Sequence, residues 1–385
     1  MKNIKYAKFG AIIIMLVFIL PSITMASNKV PFLTYKGGGP LLDIKCTDSY
    51  CVAVGNTTQG KFQISLSTDK GKTWSVVLKK EEVIKGAPGL VGVDCADSTC
   101  ITVGVGGVIF RSVDSGKTWT NQLNILGDAN SEFSQSIISS VDCVNSKLCY
   151  VVGQNSSGGS SKALGPMILK TTDGGINWVR VESSLSGAMA IDLVKMGKIL
   201  CKNEMECFGI GQQRSIFHTS DGWKNITFQN FKIDDPVPAY NPDGSIVYFI
   251  DGKPNSVPEK IARGDFSGIS FTNDGGVIVD DMGDRLQIIL KSMDNGVTWN
   301  TIPFPSLPKL NAGGSISCTG SVCVIASSNG VRGKVNIFTS LDNGNTWTYS
   351  SLNKRIMVSG ASCIDKNNCF AIGMLIPVGV VIKVK

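Results

Sequence analysis

The stretch Ser67-Thr68-Asp69-Lys70-Gly71-Lys72-Thr73-Trp74 recurs along the chain and decides the fold. Its pattern is Ser-x-Asp-x-Gly-x-Thr-Trp, which we call the box and number from position 1 to position 8. Four further near-complete copies begin at Ser112, Thr171, Ser292 and Ser340, and a divergent copy begins at Thr219. A repeat with a period of roughly 40–50 residues indicates a solenoid, a propeller or an array.

Each box residue has a physical role in a turn. The Asp at position 3 can accept hydrogen bonds from backbone N–H groups, Gly at position 5 supplies a positive φ, and Trp at position 8 covers the outer end of the unit. The divergent copy has Gly222 one place early and Trp223 at position 5, so we expect its turn to differ. The aspartates predicted to be structural are Asp69, Asp114, Asp173, Asp221, Asp294 and Asp342.

The 12 cysteines form a second repeat, because they fall into six close pairs. Four or five residues separate the members of a pair, and a repeat has one pair, which fits neither zinc knuckles arranged in fours nor a Cys-x-x-Cys redox site well. We therefore predict local disulfides, each contributing about 2 kcal/mol in the chain-entropy model, in an oxidising compartment. The predicted pairs are Cys46 with Cys51, Cys95 with Cys100, Cys143 with Cys149, Cys201 with Cys207, Cys318 with Cys323 and Cys363 with Cys369.

Short segments rich in Val, Ile, Thr and aromatic residues separate these motifs and predict four strands, a to d, in each unit. Strand a starts near residues 41, 91, 138, 198, 267, 314 and 359, and the fifth unit lacks its Cys pair. The seventh unit has no box, so Val30–Lys36 is predicted to serve as its strand d and to close the ring. The predicted fold is an all-β, seven-bladed propeller of four-stranded antiparallel blades.

The first 26 residues predict a secretory signal peptide, with residues 27–385 forming the single propeller domain. Lys2, Lys5 and Lys8 precede a 12-residue apolar run that ends before Pro21, and Thr24-Met25-Ala26 is a plausible cleavage site. An uncleaved N-terminal anchor is the alternative. No other segment is long and apolar enough to span a membrane. We expect an exported protein, periplasmic or extracellular.

The chain carries a formal charge of +7, and loss of the signal peptide lowers it to about +4. Its Lys residues are scattered, so the clustered basic surface that nucleic-acid binding requires is missing. One Asp per turn offers too few oxygen ligands for a typical calcium site. We predict no metal, no cofactor and no nucleic-acid partner.

Over residues 41–350 the boxes resemble the Asp-box, or BNR, repeat family, which includes sialidases, other glycoside hydrolases, sortilin-type receptors and photosystem II assembly factors. Val52-Ala53-Val54-Gly55 and Thr171-Thr172-Asp173-Gly174-Gly175 look most like the assembly-factor type. That resemblance implies a seven-bladed non-enzymatic scaffold. The Cys pairs depart from the assembly-factor pattern, so it implies the fold and not a photosynthetic role.

The a–b and c–d turns lie at one end of the strands, which we call the box end, and the b–c and d–a loops lie at the other, the loop end. Long irregular segments at the loop end, Gly153–Pro166 and Phe228–Phe266, favour binding there. We predict a protein or glycan ligand at the loop end, with Arg groups suited to carboxylate or phosphate. The candidate ligand-binding residues are Arg214, Arg263, Arg285, Arg332, Arg355, Asp234, Asp235 and Tyr240.

A sialidase-like glycoside hydrolase is the alternative function. It would need three convergent Arg, a Tyr–Glu nucleophile pair and an acidic Asp near the ring centre, and no spacing in the chain selects such residues. The single histidine, His218, falls at a repeat position that is mostly polar elsewhere, so we predict that it faces outward. Catalytic residues are therefore left unassigned.

Overall fold

The structure is a computed structural model. It describes residues 32–34, 38–79, 89–122, 136–154, 167–182, 196–211, 214–230, 238–240, 246–250, 253–254, 265–282, 287–303, 315–328, 334–375 and 378–384. Seven four-stranded antiparallel sheets form the blades of a propeller, which confirms the predicted fold class. The inner strands of neighbouring blades contact one another around the whole ring, including blade 7 with blade 1.

The strands follow the order a, b, c, d from the central channel outward. The inner strands a are Leu41–Cys46, Leu90–Ala96, Ile137–Cys143, Met196–Cys201, Gly268–Phe271, Ser315–Thr319 and Met357–Asp365. Strands b are Cys51–Asn56, Thr99–Gly104, Cys149–Gln154, Cys207–Gly211, Val277–Met282, Val322–Ser328 and Asn368–Leu375. Strands c are Phe62–Ser67, Ile109–Ser112, Met167–Thr171, Ser215–Thr219, Gln287–Ser292, Val335–Ser340 and Val378–Lys383. The outer strands d of blades 1 to 6 are Ser75–Lys79, Thr120–Asn121, Val179–Arg180, Thr227–Asn230, Asn300–Ile302 and Thr348–Leu352.

The ring closes with the N-terminal strand Phe32–Thr34, which pairs antiparallel with strand c of blade 7. The sequence predicted this closure. From there the chain crosses to strand a of blade 1 through Gly38 and Gly39. A Cβ on Gly39 would lie 2.6 Å from the backbone carbon of Thr57, so the crossing needs a residue without a side chain.

Five of the inner strands carry a β-bulge near their start, in blades 1, 2, 3, 4 and 7. In each case the residue opposite the bulge is the glycine near the end of strand b. In blade 1 this is Gly55, where a Cβ would come within 2.0 Å of the Pro40 carbonyl oxygen. The repeated bulge therefore explains why strand b so often ends in Gly.

The core is divided into separate apolar clusters, one between each pair of neighbouring blades. The cluster between blades 1 and 2 packs against Trp119, and the one between blades 7 and 1 packs against Trp74. Trp178, Trp299 and Trp347 occupy the equivalent places further round the ring. Each box thus fastens its own blade to the preceding one, as expected for a repeat protein built from nearest-neighbour interfaces.

The six predicted disulfides are all present, and each joins the end of strand a to the start of strand b within one blade. The bonded pairs are Cys46 with Cys51, Cys95 with Cys100, Cys143 with Cys149, Cys201 with Cys207, Cys318 with Cys323 and Cys363 with Cys369. In every pair the two cysteines stand directly opposite each other in the register of the hairpin. The pairing predicted from the spacing is therefore confirmed, and six disulfides indicate an oxidising environment.

Blade 5 holds its a–b hairpin without a disulfide. The pair Phe271 and Val277 stands at the register position that the cysteines occupy elsewhere. An ion pair of 2.6 Å between Lys291 Nζ and Asp274 links this hairpin to strand c of the same blade. This contact joins the a–b turn to strand c, whereas the disulfides of the other blades join strands a and b.

The long segment between blades 4 and 5 contains a small three-stranded sheet of its own, formed by Pro238–Tyr240, Ile246–Ile250 and Lys253–Pro254. Within the described part of the chain, no helix is both long and apolar enough to cross a membrane.

Candidate functional site

The box turn is held by its own hydrogen bonds, as the sequence predicted. The Ser67 hydroxyl donates to Asp69 Oδ1 (2.8 Å) and accepts from the Gly71 N–H (2.8 Å). The Thr73 N–H and hydroxyl donate to the same carboxylate, at 2.8 and 2.6 Å. Burial acts against ionisation of Asp69, but these hydrogen bonds outweigh it and lower the pKa of the carboxyl group. The carboxylate is therefore committed to the turn.

The divergent copy corrects one prediction, because its turn does not differ. Trp223 adopts a φ of 74°, close to the 76–88° of the glycines at position 5 of the other copies. Its N–H donates to Thr219 Oγ1 at 3.0 Å, and the Asn225 N–H donates to Asp221 at 2.9 Å. The indole is fully buried in the cluster between blades 3 and 4, beside Ile226 at position 8. Burial of the indole in that interface compensates for the strained backbone of a non-Gly residue.

The channel wall is a set of ties from blade to blade. The channel-side edge of strand a carries backbone N–H groups that no further strand can pair, so they need other acceptors. In five blades, the residue just before the strand-a cysteine, or before Phe271 in blade 5, accepts a side-chain hydrogen bond from a backbone N–H of the next blade. The pairs are Asp94 with the Cys143 N–H (2.6 Å), Asp142 with Cys201 (2.9 Å), Ser270 with Cys318 (3.1 Å), Ser317 with Cys363 (3.0 Å) and Ser362 with Cys46 (2.9 Å).

Blades 1 to 4 add charge to this wall. Lys45 of blade 1 forms an ion pair of 2.5 Å with Asp94 of blade 2, and Asp94 is almost fully buried. Asp43 accepts from the Val93 N–H at 2.9 Å. Lys198 of blade 4 reaches across the channel to the Ser315 hydroxyl of blade 6, at 3.4 Å. Together with Asp142, these charged residues are the main electrostatic feature of the channel in the described part of the chain.

The charged residues of the wall shift one another's pKa values. Burial and then repulsion from Asp94 raise the pKa of Asp142 to about 7, against the attraction of Lys45. Burial also raises the pKa of Asp43, which Lys198 opposes. The Asp94 carboxylate raises the pKa of Lys45, although its partial burial acts in the opposite direction. Lys45 is therefore charged at neutral pH, while Asp142 changes protonation there.

The residue before the box makes polar contacts in blades 2, 3 and 4. His218 Nε2 lies 2.6 Å from Glu206 Oε1, and its ring stacks on Phe208 with centroids 4.8 Å apart. At the same position Arg111 donates to the Gly174 carbonyl of blade 3 (2.5 Å), and Lys170 pairs with Glu204 of blade 4 (2.5 Å). The contacts of Arg111 and Lys170 join neighbouring blades, whereas those of His218 stay within blade 4, where its side chain is 20% exposed.

Two of the predicted ligand-binding residues lie in the described part of the chain with their side chains. Arg214 is in the b–c loop of blade 4, with a positive φ of 52°, and Arg355 is exposed in the loop before blade 7. Both are at the loop end. Tyr240 ends the first strand of the inserted sheet, but its side chain lies outside the described residues. So do Arg263, Arg285, Arg332, Asp234 and Asp235.

The described inner strands contain no Arg, Tyr or Glu, so the Arg triad and Tyr–Glu pair of a sialidase-type centre do not come from them. Among the described residues, no three His, Cys, Asp or Glu side chains are grouped to hold a metal ion.

Sequence reasoning missed the charged wall, although a signal was present. Lys45, Asp94 and Asp142 each directly precede a strand-a cysteine, in segments that are otherwise largely apolar. Charged residues at the same position of successive repeats lie at the same level of neighbouring inner strands, so they can be expected to interact.

Several solved structures are similar to this chain. YCF48 bound to a D1 peptide matches with a TM-score of 0.58 and 13% identity over 94% of this chain and 96% of that one. YCF48 from Cyanidioschyzon merolae matches with a TM-score of 0.57 and 14% identity, over 92% and 97%. The GH74 xyloglucanase from Xanthomonas campestris has a TM-score of 0.54 and 12% identity, over 91% of this chain and 53% of that one. At such identities the likeness shows the fold alone.

No family model matches the chain, and no curated protein matches it.

Proposed function

We propose that this protein is an exported, disulfide-stapled propeller that binds a protein partner at its loop end, with a glycan as the alternative ligand. The proposal rests on one observation, which is that the side chains lining the channel join neighbouring blades. The charged side chains of the described wall hold blade to blade, so the ring is a rigid support and binding falls to the loops that it displays.

The loop end offers cations for such binding. Arg214 and Arg355 stand on different loops of this end, and we assign Arg263, Arg285 and Arg332 to the same surface, with Asp234, Asp235 and Tyr240 on the inserted segment. Guanidinium groups bind carboxylates in a bidentate manner. The expected ligand is thus an acidic segment or a free C-terminal carboxylate. YCF48, a propeller of similar fold, was solved with a bound peptide, which supports a peptide ligand by precedent.

The test uses the exported chain from residue 27, with its disulfides intact. Binding of acidic peptides with a free C-terminus is measured against the same peptides with an amidated C-terminus. We expect Arg214→Ala with Arg355→Ala to weaken binding at least tenfold. The matched control, Lys117→Ala with Lys224→Ala, removes two exposed cations from the box end and should leave binding unchanged.

The hydrolase is tested on the same preparation with sialosides and xyloglucan. Turnover of either substrate would overturn the proposal, and so would peptide binding that ignores the two Arg substitutions. The signal peptide has a separate test. N-terminal sequencing of the exported protein should give a sequence that starts at Ser27. A sequence that still begins at Met1 would favour the uncleaved anchor.

A further inference from the structure

Exposed apolar side chains are concentrated at the box end. Six of them, 48–69% exposed, stand on the turns of blades 2 to 6. They are Val113, Ile176, Met205, Met293, Val297 and Leu341, and we call them the apolar arc. Val113, Met293 and Leu341 occupy box position 2, Ile176 and Val297 occupy position 6, and Met205 lies in the a–b hairpin of blade 4.

The repeat provides an internal control, because the turn itself does not require apolar residues at these positions. Position 2 is Thr68 in blade 1, Thr172 in blade 3 and Ser220 in blade 4. Position 6 is Lys in blades 1, 2 and 4, and Asn345 in blade 6. These polar copies form the same hydrogen-bonded turn. The turn therefore does not require apolar side chains at positions 2 and 6, and their recurrence on one rim from blade to blade marks this rim as a candidate contact surface.

The arc is held in a defined arrangement by the ties between blades. Lys291 Nζ, two residues before Met293, donates to the Asn343 carbonyl at 2.9 Å, two residues after Leu341. In the same way the contact of Arg111 with Gly174 joins the turn that carries Val113 to the turn that carries Ile176. The arc ends at blade 1, which has polar residues at both positions, and at blade 7, which has no box.

The charge beside the arc selects the kind of partner. Val113, Met293 and Leu341 each directly precede a box aspartate. Hydrogen bonds from the Thr298 side chain and N–H lower the pKa of Asp294 to about 2. Burial opposes ionisation of Asp114, but hydrogen bonds from Thr118 lower its pKa to about 2 as well. The four box turns that carry arc residues contain four aspartates, Asp114, Asp173, Asp294 and Asp342, and one cation, Lys117. Their net charge is therefore negative, which complements cations and repels the headgroups of an anionic bilayer.

We propose that the apolar arc is a docking surface for a partner protein whose contact segment alternates apolar side chains with Lys or Arg. This surface is at the opposite end of the strands from the proposed ligand-binding loops. It is independent of them, because none of its residues belongs to the b–c or d–a loops.

The test uses an arc variant that borrows residues from other copies of the box. It combines Val113→Thr, Met293→Thr and Leu341→Thr, as in blades 1 and 3, with Ile176→Asn and Val297→Asn, as in blade 6. Each replacement already occurs at that position in this chain, so folding should be preserved, and the net charge is unchanged. The matched control variant, Ile137→Thr with Tyr349→Thr, removes exposed apolar residues outside the arc.

The probes are a labelled Lys/Leu alternating peptide, a Glu/Leu peptide of equal length, and vesicles of phosphatidylcholine with and without phosphatidylglycerol. We expect the wild type and the control to bind the Lys/Leu peptide at least tenfold more tightly than the Glu/Leu peptide. The arc variant should lose that binding at least tenfold. Peptides selected from a random displayed library should also be rich in Lys, Arg and apolar residues on the wild type only.

Several results would overturn the proposal. Equal binding by the wild type and the arc variant would show that the arc is not used. Equal affinity for the two peptides would mean unselective hydrophobic adhesion, and arc-dependent binding to vesicles would mean a membrane surface instead. Self-association of the wild type that the arc variant abolishes would identify a second copy of the chain as the occupant.

Discussion

The inner strands of blades 1 to 4 and those of blades 5 to 7 meet the same requirement with different chemistry. Both must supply acceptors for backbone N–H groups that face the channel. Blades 5 to 7 use the hydroxyls of Ser270, Ser317 and Ser362, which are neutral. Blades 2 and 3 use the carboxylates of Asp94 and Asp142. These form stronger hydrogen bonds but place charge at buried positions.

The difference shows that each hydrogen bond joins only two neighbouring blades, whereas the electrostatic effect of a buried carboxylate extends to the next carboxylate as well. Two carboxylates stand next to each other in the charged half, and Lys45 pairs with only one of them. The second, Asp142, therefore has its pKa raised to about 7 by burial and by its neighbour. The serine half has no comparable dependence on pH. Substitutions in the two halves can separate these effects.

The largest expected effect is on the pH dependence of stability. The pKa of Asp142 rises from 3.8 when unfolded to about 7 when folded, so the unfolded chain releases this proton first. Stability from this group is present below pH 4, is lost as the pH rises towards 7, and is constant above. Asp142→Asn keeps an acceptor for the Cys201 N–H and removes the charge. We expect it to raise the free energy of unfolding at pH 8 by up to about 4 kcal/mol, with little change at pH 4.

Urea unfolding of the oxidised protein at pH 4, 6 and 8, followed by Trp fluorescence, measures this effect. If the wild type and Asp142→Asn keep a constant difference across that range, the carboxyl group does not titrate as described.

The second-largest effect on stability is expected from the removal of Lys45, the cation near Asp94 and Asp142. Lys45→Met leaves Asp94 and Asp142 without their counter-ion, and we expect a loss of about 2–3 kcal/mol at pH 8. This is below the roughly 3–5 kcal/mol typical of fully buried pairs, because the Lys45 side chain remains 38% exposed. The loss should shrink at pH 5, where Asp142 is protonated. The control Lys45→Arg keeps the charge, so an equal loss in both variants would point to packing and not to electrostatics.

The smallest effect is expected in the serine half. Ser362→Ala removes the acceptor of the Cys46 N–H and should cost about 1 kcal/mol, independent of pH between 4 and 8. Ser317→Ala should behave in the same way. The same urea titrations apply, and a pH dependence as steep as that of the charged half would remove the distinction between the halves.

The predictions from the sequence were most accurate for features that are local and repeated. The spacing of the boxes and of the Cys pairs predicted seven blades and six disulfides, because both depend on residues a few positions apart. The prediction for Trp223 was wrong for the opposite reason. Its turn was judged from the box alone, whereas burial of the indole between two blades decides the backbone conformation.

The exposed arc was missed because the boxes were treated as purely structural. Their Asp and Gly residues do serve the turn, but positions 2 and 6 vary from copy to copy, and the Asn345 amide, which donates to the Asp342 carbonyl, is one polar variant at position 6. A comparison of the copies at those two positions would have separated Val113, Met293 and Leu341 from their polar counterparts.

By itself, the sequence determined the number of blades, the disulfide pairs and the strand that closes the ring. Only the tertiary structure decided that Lys45 meets Asp94, that Lys198 reaches Ser315, and that the arc runs along one rim. The physical reason is one of distance along the chain. A turn or a hairpin is built from residues that are near neighbours in the sequence, whereas the channel wall and the rim bring together residues of different blades, and these meet only when the ring closes.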